Sequence, residues 1–137
     1  MSFPLADIRI VTPRFSVAPQ ISVEDLSGVK AAGYGLVINN RPDGEIPGQP
    51  TSAAMAAAAQ GQGLAYRHIP VSGSPTPDQV RAMAEAVDGQ NDKVLAFCRS
   101  GTRSIITWSL GQTGVMSRDE IIRCGAAAGY DLSAVVR

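Results

Sequence analysis

Histidine and cysteine are scarce in this chain, one and two residues among 137. Two cysteines, Cys98 and Cys124, exclude the disulfide framework of a small secreted domain and make a reducing compartment the expectation. With His68 as the single histidine, a structural zinc site lacks its usual ligands, so neither metal nor cofactor is expected. Long apolar runs are missing too. Nothing approaches the roughly eighteen residues of a membrane span, and Met1 to Asp7 lacks the basic-then-apolar pattern of a secretory leader. A soluble, cytoplasmic protein is the expectation. Net charge is also absent: twelve basic residues balance twelve acidic ones. No overall field recruits nucleic acid or an anionic membrane, and neither is an expected partner.

What is present is an ordinary globular composition, 45% hydrophobic and 18% charged. The length is that of one domain over residues 1 to 137, large enough to bury a core without disulfides or metal. Ile8 to Val11 and Phe15 to Ala18 are short β-like runs around Thr12-Pro13 and predict a hairpin or two edge segments. Ser22 opens a helix with Leu26, Val29 and Ala32 on one face and Gly33 as its stop. Leu36-Val37-Ile38 reads as a buried strand. A polar loop follows, Asn39 to Glu45, in which Pro42 and Gly44 forbid regular structure. Thr51 or Ser52 caps an alanine-rich helix to about Gln60.

Leu64 to Val71 predicts a third inner strand with Pro70 near its end. Thr76, Pro77 and Gln79 form a capping box ahead of Val80, Met83, Ala84 and Val87, and Asp88-Gly89 ends that helix. Val94 to Phe97 is a strand, and a helix carrying Ile105, Ile106, Trp108 and Leu110 starts near Arg103. Ser117 and Glu120 make a second capping box for a final helix to Ala128, and Leu132 to Val136 predicts one or two more helical turns. Alternating strands and helices argue for a three-layer α/β fold, a mostly parallel sheet with helices on both faces. The loops after Ile38, Val71 and Phe97 then share one edge, where such sheets bind ligands.

The chemistry concentrates in the loop Cys98-Arg99-Ser100-Gly101-Thr102-Arg103-Ser104. A cysteine at a strand end, a glycine where the backbone turns, and a helix N-terminus together describe an anion cradle. Arg99, Ser100, Gly101 and Thr102 supply its wall, and the Arg103 guanidinium adds positive charge. The same field favours the Cys98 thiolate and makes it a nucleophile. A Ser104 hydroxyl is placed to donate to that thiolate. The alternative, an inert strand-end cysteine, is disfavoured by arginine at both flanks of the loop. Arg41 is either a second anion contact or a partner of Glu45. Asp43 is either a turn former or a catalytic acid. Asp78 reads as a helix first-turn acid, His68 as a strand residue bonded to backbone, and Cys124 and Trp108 as structural residues.

Val37 to Glu45, His68 to Val71 and Phe97 to Ser104 resemble the phosphatase-like domain of the beta-lactamase hydrolase-like proteins, relatives of the tyrosine and dual-specificity phosphatases. The resemblance implies a phosphatase-like three-layer fold, Cys98 as nucleophile, Arg103 as anion clamp and Ser104 as thiolate partner. Two departures stand out. Tyrosine phosphatases keep five residues between cysteine and arginine, whereas this chain has four, the length used by rhodanese-like sulfurtransferases. Those phosphatases also place an aspartate acid after the strand matching His68 to Val71, and here Ser72-Gly73-Ser74 stands instead.

Sulfite leaves without a proton, so sulfur transfer needs no such acid, while loss of an acid slows ester hydrolysis about a hundredfold or more. The first expectation is therefore a sulfurtransferase passing sulfane sulfur from a donor such as thiosulfate through a Cys98 persulfide to a thiol acceptor or cyanide. The second is phosphoric monoester hydrolysis through a phospho-cysteine, with a phosphorylated substrate. The third is a non-catalytic module that senses a small oxyanion or binds a protein.

Overall fold

The computed structural model describes residues 7–136, so the leader reading of Met1 to Asp7 lies, apart from Asp7, outside the described residues. The hairpin forms as expected: β1 (Arg9–Ile10) pairs antiparallel with β2 (Phe15–Ala18). Thr12 closes it, its hydroxyl accepting from the backbone N-H of Phe15 at 3.0 Å and of Arg14 at 3.2 Å. Ser22 caps as expected but over a single turn, exchanging hydrogen bonds with Asp25 at 2.8 and 3.2 Å. The regular helix α1 is confined to Leu26–Ala31. Strand β3 (Tyr34–Asn39), helix α2 (Ser52–Gly61), strand β4 (Ala65–His68), helix α3 (Pro77–Asp88), strand β5 (Lys93–Phe97), helix α4 (Thr102–Gly111) and helix α5 (Arg118–Ala127) follow. Both expected capping boxes, Thr76 with Gln79 and Ser117 with Glu120, are closed on both sides.

The five strands lie in the order β1-β2-β5-β3-β4, and every pairing except β1 with β2 is parallel. Strand β4 is thus an edge strand, not the inner one expected, and its residues alternate between exposed and half-buried. The reason is topological: β5 returns between β2 and β3, leaving β4 with one neighbour. The tail takes the shorter of the two expected forms. Leu132 to Val136 makes one turn, with Leu132 O accepting from Val135 N and Val136 N, and no further helix forms.

Alternate strand residues point to opposite faces, and each face carries its own core. Phe15, Val17, Leu36, Ile38, Val94 and Ala96 pack with Met83 and Val87 of α3, Ile105 and Trp108 of α4, and Ile121 of α5. Val37, Leu95 and Phe97 pack with Leu26 and Val29 of α1 and Met55 and Ala59 of α2. Trp108 belongs to the first core, stacked on Phe15 with ring centroids 5.2 Å apart. Each fully buried large apolar side chain contributes about 1.5–3 kcal/mol.

This layering creates the site. Neighbouring strands β3 and β5 send their following helices to opposite faces, α2 to one and α4 to the other. The two loops diverge at the carboxyl ends of the strands, the switch point where open α/β sheets bind ligands.

Candidate active site

Cys98 is fully buried at the end of β5. Gly101 is the N-cap of α4 with φ +89°, a backbone conformation glycine adopts without steric cost. This turn brings the Gly101 N-H to 3.0 Å from the Cys98 sulfur. A thiolate there receives a backbone donor and the positive end of the α4 dipole together. Arg99, Ser100 and Thr102 are exposed on the loop, and the Ser100 and Thr102 hydroxyls bond to each other at 2.9 Å. Ser104 is buried, but its hydroxyl has no hydrogen-bond partner. The bond to the thiolate implied by the resemblance is therefore not made in this structure.

Arg103 forms a two-pronged pair with Glu45, Nη1 to Oε2 and Nη2 to Oε1, each at 2.8 Å, and Nη1 also donates to Val71 O at 2.9 Å. Glu45 accepts in addition from Arg41 Nε at 2.8 Å. Of the two roles considered for Arg41, pairing with Glu45 is the one observed. Arg41 is 2% exposed, donates to Gln20 Oε1 at 3.1 Å, and keeps a buried Nη2 without a partner. Asn39 Oδ1 accepts from Arg41 N at 2.8 Å, and His68 Nε2 pairs with Arg41 O at 2.9 Å. His68 thus touches backbone as expected and braces the arginine loop.

Asp43 is exposed, and its carboxylate accepts from Ser52 N at 2.7 Å, which ties it to the start of α2. That contact belongs to the turn role, not the acid role. Asp78 pairs with Arg81 at 2.9 Å on the exposed first turn of α3. Cys124 is half-buried against the first core. Two contributors to the loop escaped sequence reasoning. Gln20 N donates to Arg99 O at 3.2 Å, and the Tyr130 hydroxyl donates to Ser100 O at 2.9 Å. No local pattern marks a tyrosine that reaches thirty residues back along the chain.

The two guanidiniums hold the Glu45 carboxyl down to about 2, Arg103 contributing most and desolvation opposing. Glu45 in turn is the main cause of a raised Arg103. Because the folded value lies below the ordinary 4.5, the stabilisation from this cluster is fully present above about 4.5 and is lost as pH falls through about 2. Glu45→Gln is expected to flatten that part of the acid dependence, checked by urea unfolding of both proteins across this window.

A family model described as the phosphatase-like domain of beta-lactamase hydrolase-like protein matches residues 7–115. A beta-lactamase hydrolase-like protein of Xylella fastidiosa is 37% identical over 129 residues, 92% of this chain and 30% of that protein. The chain therefore spans about 30% of the length of that curated relative. The crystal structure of a candidate phosphatase of Neisseria meningitidis superposes with a TM-score of 0.82 at 29% identity, covering 93% of this chain and 92% of the other. Tk-PTP in its active form superposes with a TM-score of 0.72 at 16% identity over 93% of this chain and 88% of the other. The expected fold class is thus observed, an α/β architecture of the tyrosine and dual-specificity phosphatase type. With its family model matched across all five strands and the Cys98 loop, the chain belongs to the phosphatase-like domain family of the beta-lactamase hydrolase-like proteins.

Proposed function

We propose that the chain is a cysteine-dependent phosphoric monoester hydrolase. The observation that carries this reading is the Gly101 N-H at 3.0 Å from a buried Cys98 sulfur at the N-terminus of α4, within a fold shared with phosphatases. The Cys98 thiolate attacks phosphorus, the bond from phosphorus to the ester oxygen breaks, and the oxygen departs as an aryloxide that takes its proton from bulk water after leaving. Water then attacks the phospho-cysteine and regenerates the thiolate, releasing inorganic phosphate. Arg103, turned from Glu45, and the loop N-H groups stabilise the equatorial oxygens. The unpartnered Arg41 Nη2 and Ser104 hydroxyl are buried donors that such an oxyanion would satisfy.

The leaving group shapes the substrate class. Ser72, Gly73 and Ser74 follow the buried Val71, Asp43 is tied to α2, and Glu45 remains ionised far below neutral pH. Esters whose alcohol leaves without protonation, aryl phosphates above alkyl phosphates, fit this site. Sulfur transfer is the second reading, favoured by the four-residue spacing from Cys98 to Arg103.

One experiment separates them. The protein is mixed with p-nitrophenyl phosphate, acid-quenched, and Cys98 is examined by mass spectrometry, in parallel with a thiosulfate-to-cyanide assay. A phosphoryl adduct on Cys98 with steady release of p-nitrophenol is the expected result. A persulfide on Cys98 with cyanide turnover and no phosphate release overturns the phosphatase reading.

A further inference from the structure

Two carbonyls of the Cys98 loop are held by groups from outside it. Arg99 O accepts from Gln20 N at 3.2 Å, and Ser100 O accepts from the Tyr130 hydroxyl at 2.9 Å. The described peptide bonds are all trans, and in a trans peptide the C=O and N-H point in opposite directions. Pulling Ser100 O toward Tyr130 therefore pushes the Gly101 N-H the other way. That N-H is the one 3.0 Å from Cys98 Sγ. Tyrosine hydroxyl, Ser100–Gly101 peptide and cysteine sulfur thus form one continuous hydrogen-bonded chain, in which each bond polarises the next.

The tyrosine is itself held. Gly129 at φ +94° turns the chain after α5, Tyr130 N donates to Gly125 O at 2.8 Å, and the Arg9 guanidinium lies 5.3 Å from the ring centroid. The approach is so close that a Cβ at residue 101 would stand 2.2 Å from the Tyr130 hydroxyl oxygen. Burial pushes the hydroxyl's pKa up, with Arg9 opposing, so it keeps its proton and remains a donor at neutral pH. Tyr130 also lies beyond residues 7–115, where the family model ends. The segment after α5 therefore reaches the loop from outside the matched region, while Tyr130 also packs against the first core.

We propose that Tyr130 is a positioning residue for the nucleophile: by holding Ser100 O, its hydroxyl fixes the Ser100–Gly101 peptide plane and so aims the Gly101 N-H at the Cys98 thiolate. Without it the plane is free to rotate and the thiolate loses a donor. The charged groups on the surrounding elements are Arg103 of α4, Arg99 of the loop, Arg41 and Glu45 after β3, and, behind the tyrosine, Arg9 of β1 paired with Asp7 at 3.0 Å. A change at Tyr130 that removes or strengthens only the hydroxyl leaves all of these charges in place.

The readout is the pH titration of the Cys98 Cβ resonance by carbon NMR, which needs no turnover and so fails or succeeds independently of the phosphatase reading. In Tyr130→Phe the midpoint is expected to rise by about half a pH unit or more. Replacing Tyr130 by 3-fluorotyrosine preserves the ring and makes the hydroxyl a stronger donor, and the midpoint is expected to fall. Thermal unfolding of each protein reports packing separately. Opposite shifts carry the proposal, because a purely structural tyrosine gives no such pair. An unmoved midpoint in folded Tyr130→Phe overturns it, and so does an unmoved midpoint in the fluorotyrosine protein if the phenylalanine variant does not fold.

Discussion

Cys98→Ser is expected to lower aryl phosphate hydrolysis by more than about 10³-fold, the scale of losing a covalent nucleophile. The substitution changes one atom at a fully buried position. A serine hydroxyl still meets the Gly101 N-H that now lies 3.0 Å from sulfur, so the loop keeps its shape. What disappears is ionisation: a thiol yields a useful thiolate in a positive field, whereas a hydroxyl there remains protonated and a poor nucleophile. Inorganic phosphate binding, followed by calorimetry, is expected to persist in the variant because the cradle donors and Arg103 are untouched. Steady-state kinetics on p-nitrophenyl phosphate provide the check. Turnover within about tenfold of the parent would place the chemistry on another residue.

Arg103→Lys is expected to lower kcat by about 10²–10³-fold, with a smaller change in KM. Lysine keeps the charge but not the planar fork, and fork geometry is what meets two oxygens at once. The structure displays that geometry with Glu45 in the place of a substrate, two contacts of 2.8 Å to the two carboxylate oxygens. A lysine ammonium holds one of these at a time. The effect falls mainly on kcat because developing charge on the equatorial oxygens is greater in the transition state than in the ground state. Measuring kcat and KM separately across a series of aryl phosphates tests this, and a change confined to KM would assign Arg103 to ground-state binding alone.

The Glu45 contacts alter the description of the loop itself. Read along the chain, Arg103 is a free cation in an anion cradle. In the fold its guanidinium already carries a carboxylate, shared with a buried Arg41. On the proposed function, oxyanion binding exchanges carboxylate for substrate at one fork, and because a single carboxylate serves two guanidiniums the unliganded cluster keeps a net positive charge that favours an anion. The four-residue spacing from Cys98 to Arg103, which favoured sulfur transfer in the sequence, is outweighed by the match to phosphatase-fold relatives along nearly the whole chain.

Local signals located most elements because their causes are local. The capping boxes at Thr76 and Ser117 close as expected, since a cap involves residues three positions apart. The cysteine, the glycine at φ +89° and the helix start lie within a few residues of one another, so the strand end, turn and helix start of this loop are legible from its seven residues. Ser22 predicts the start of a full helix but caps a single turn, because a cap specifies a turn and packing decides whether the helix extends from it.

By itself, then, the sequence determined the α/β alternation, the edge on which the loops gather, and the loop from Cys98 to Arg103 as the candidate site. Tertiary structure alone decided that β4 is an edge strand, that Glu45 holds Arg103 and Arg41, that Asp43 faces α2, and that Tyr130 grips Ser100 O. The division has a physical reason. Hydrophobic period, caps and turns act over a few residues and leave a trace in the order of amino acids. Strand insertion and contacts between Glu45 and Arg103, or Tyr130 and Ser100, depend on the path of the chain through space, which residues close in sequence do not encode.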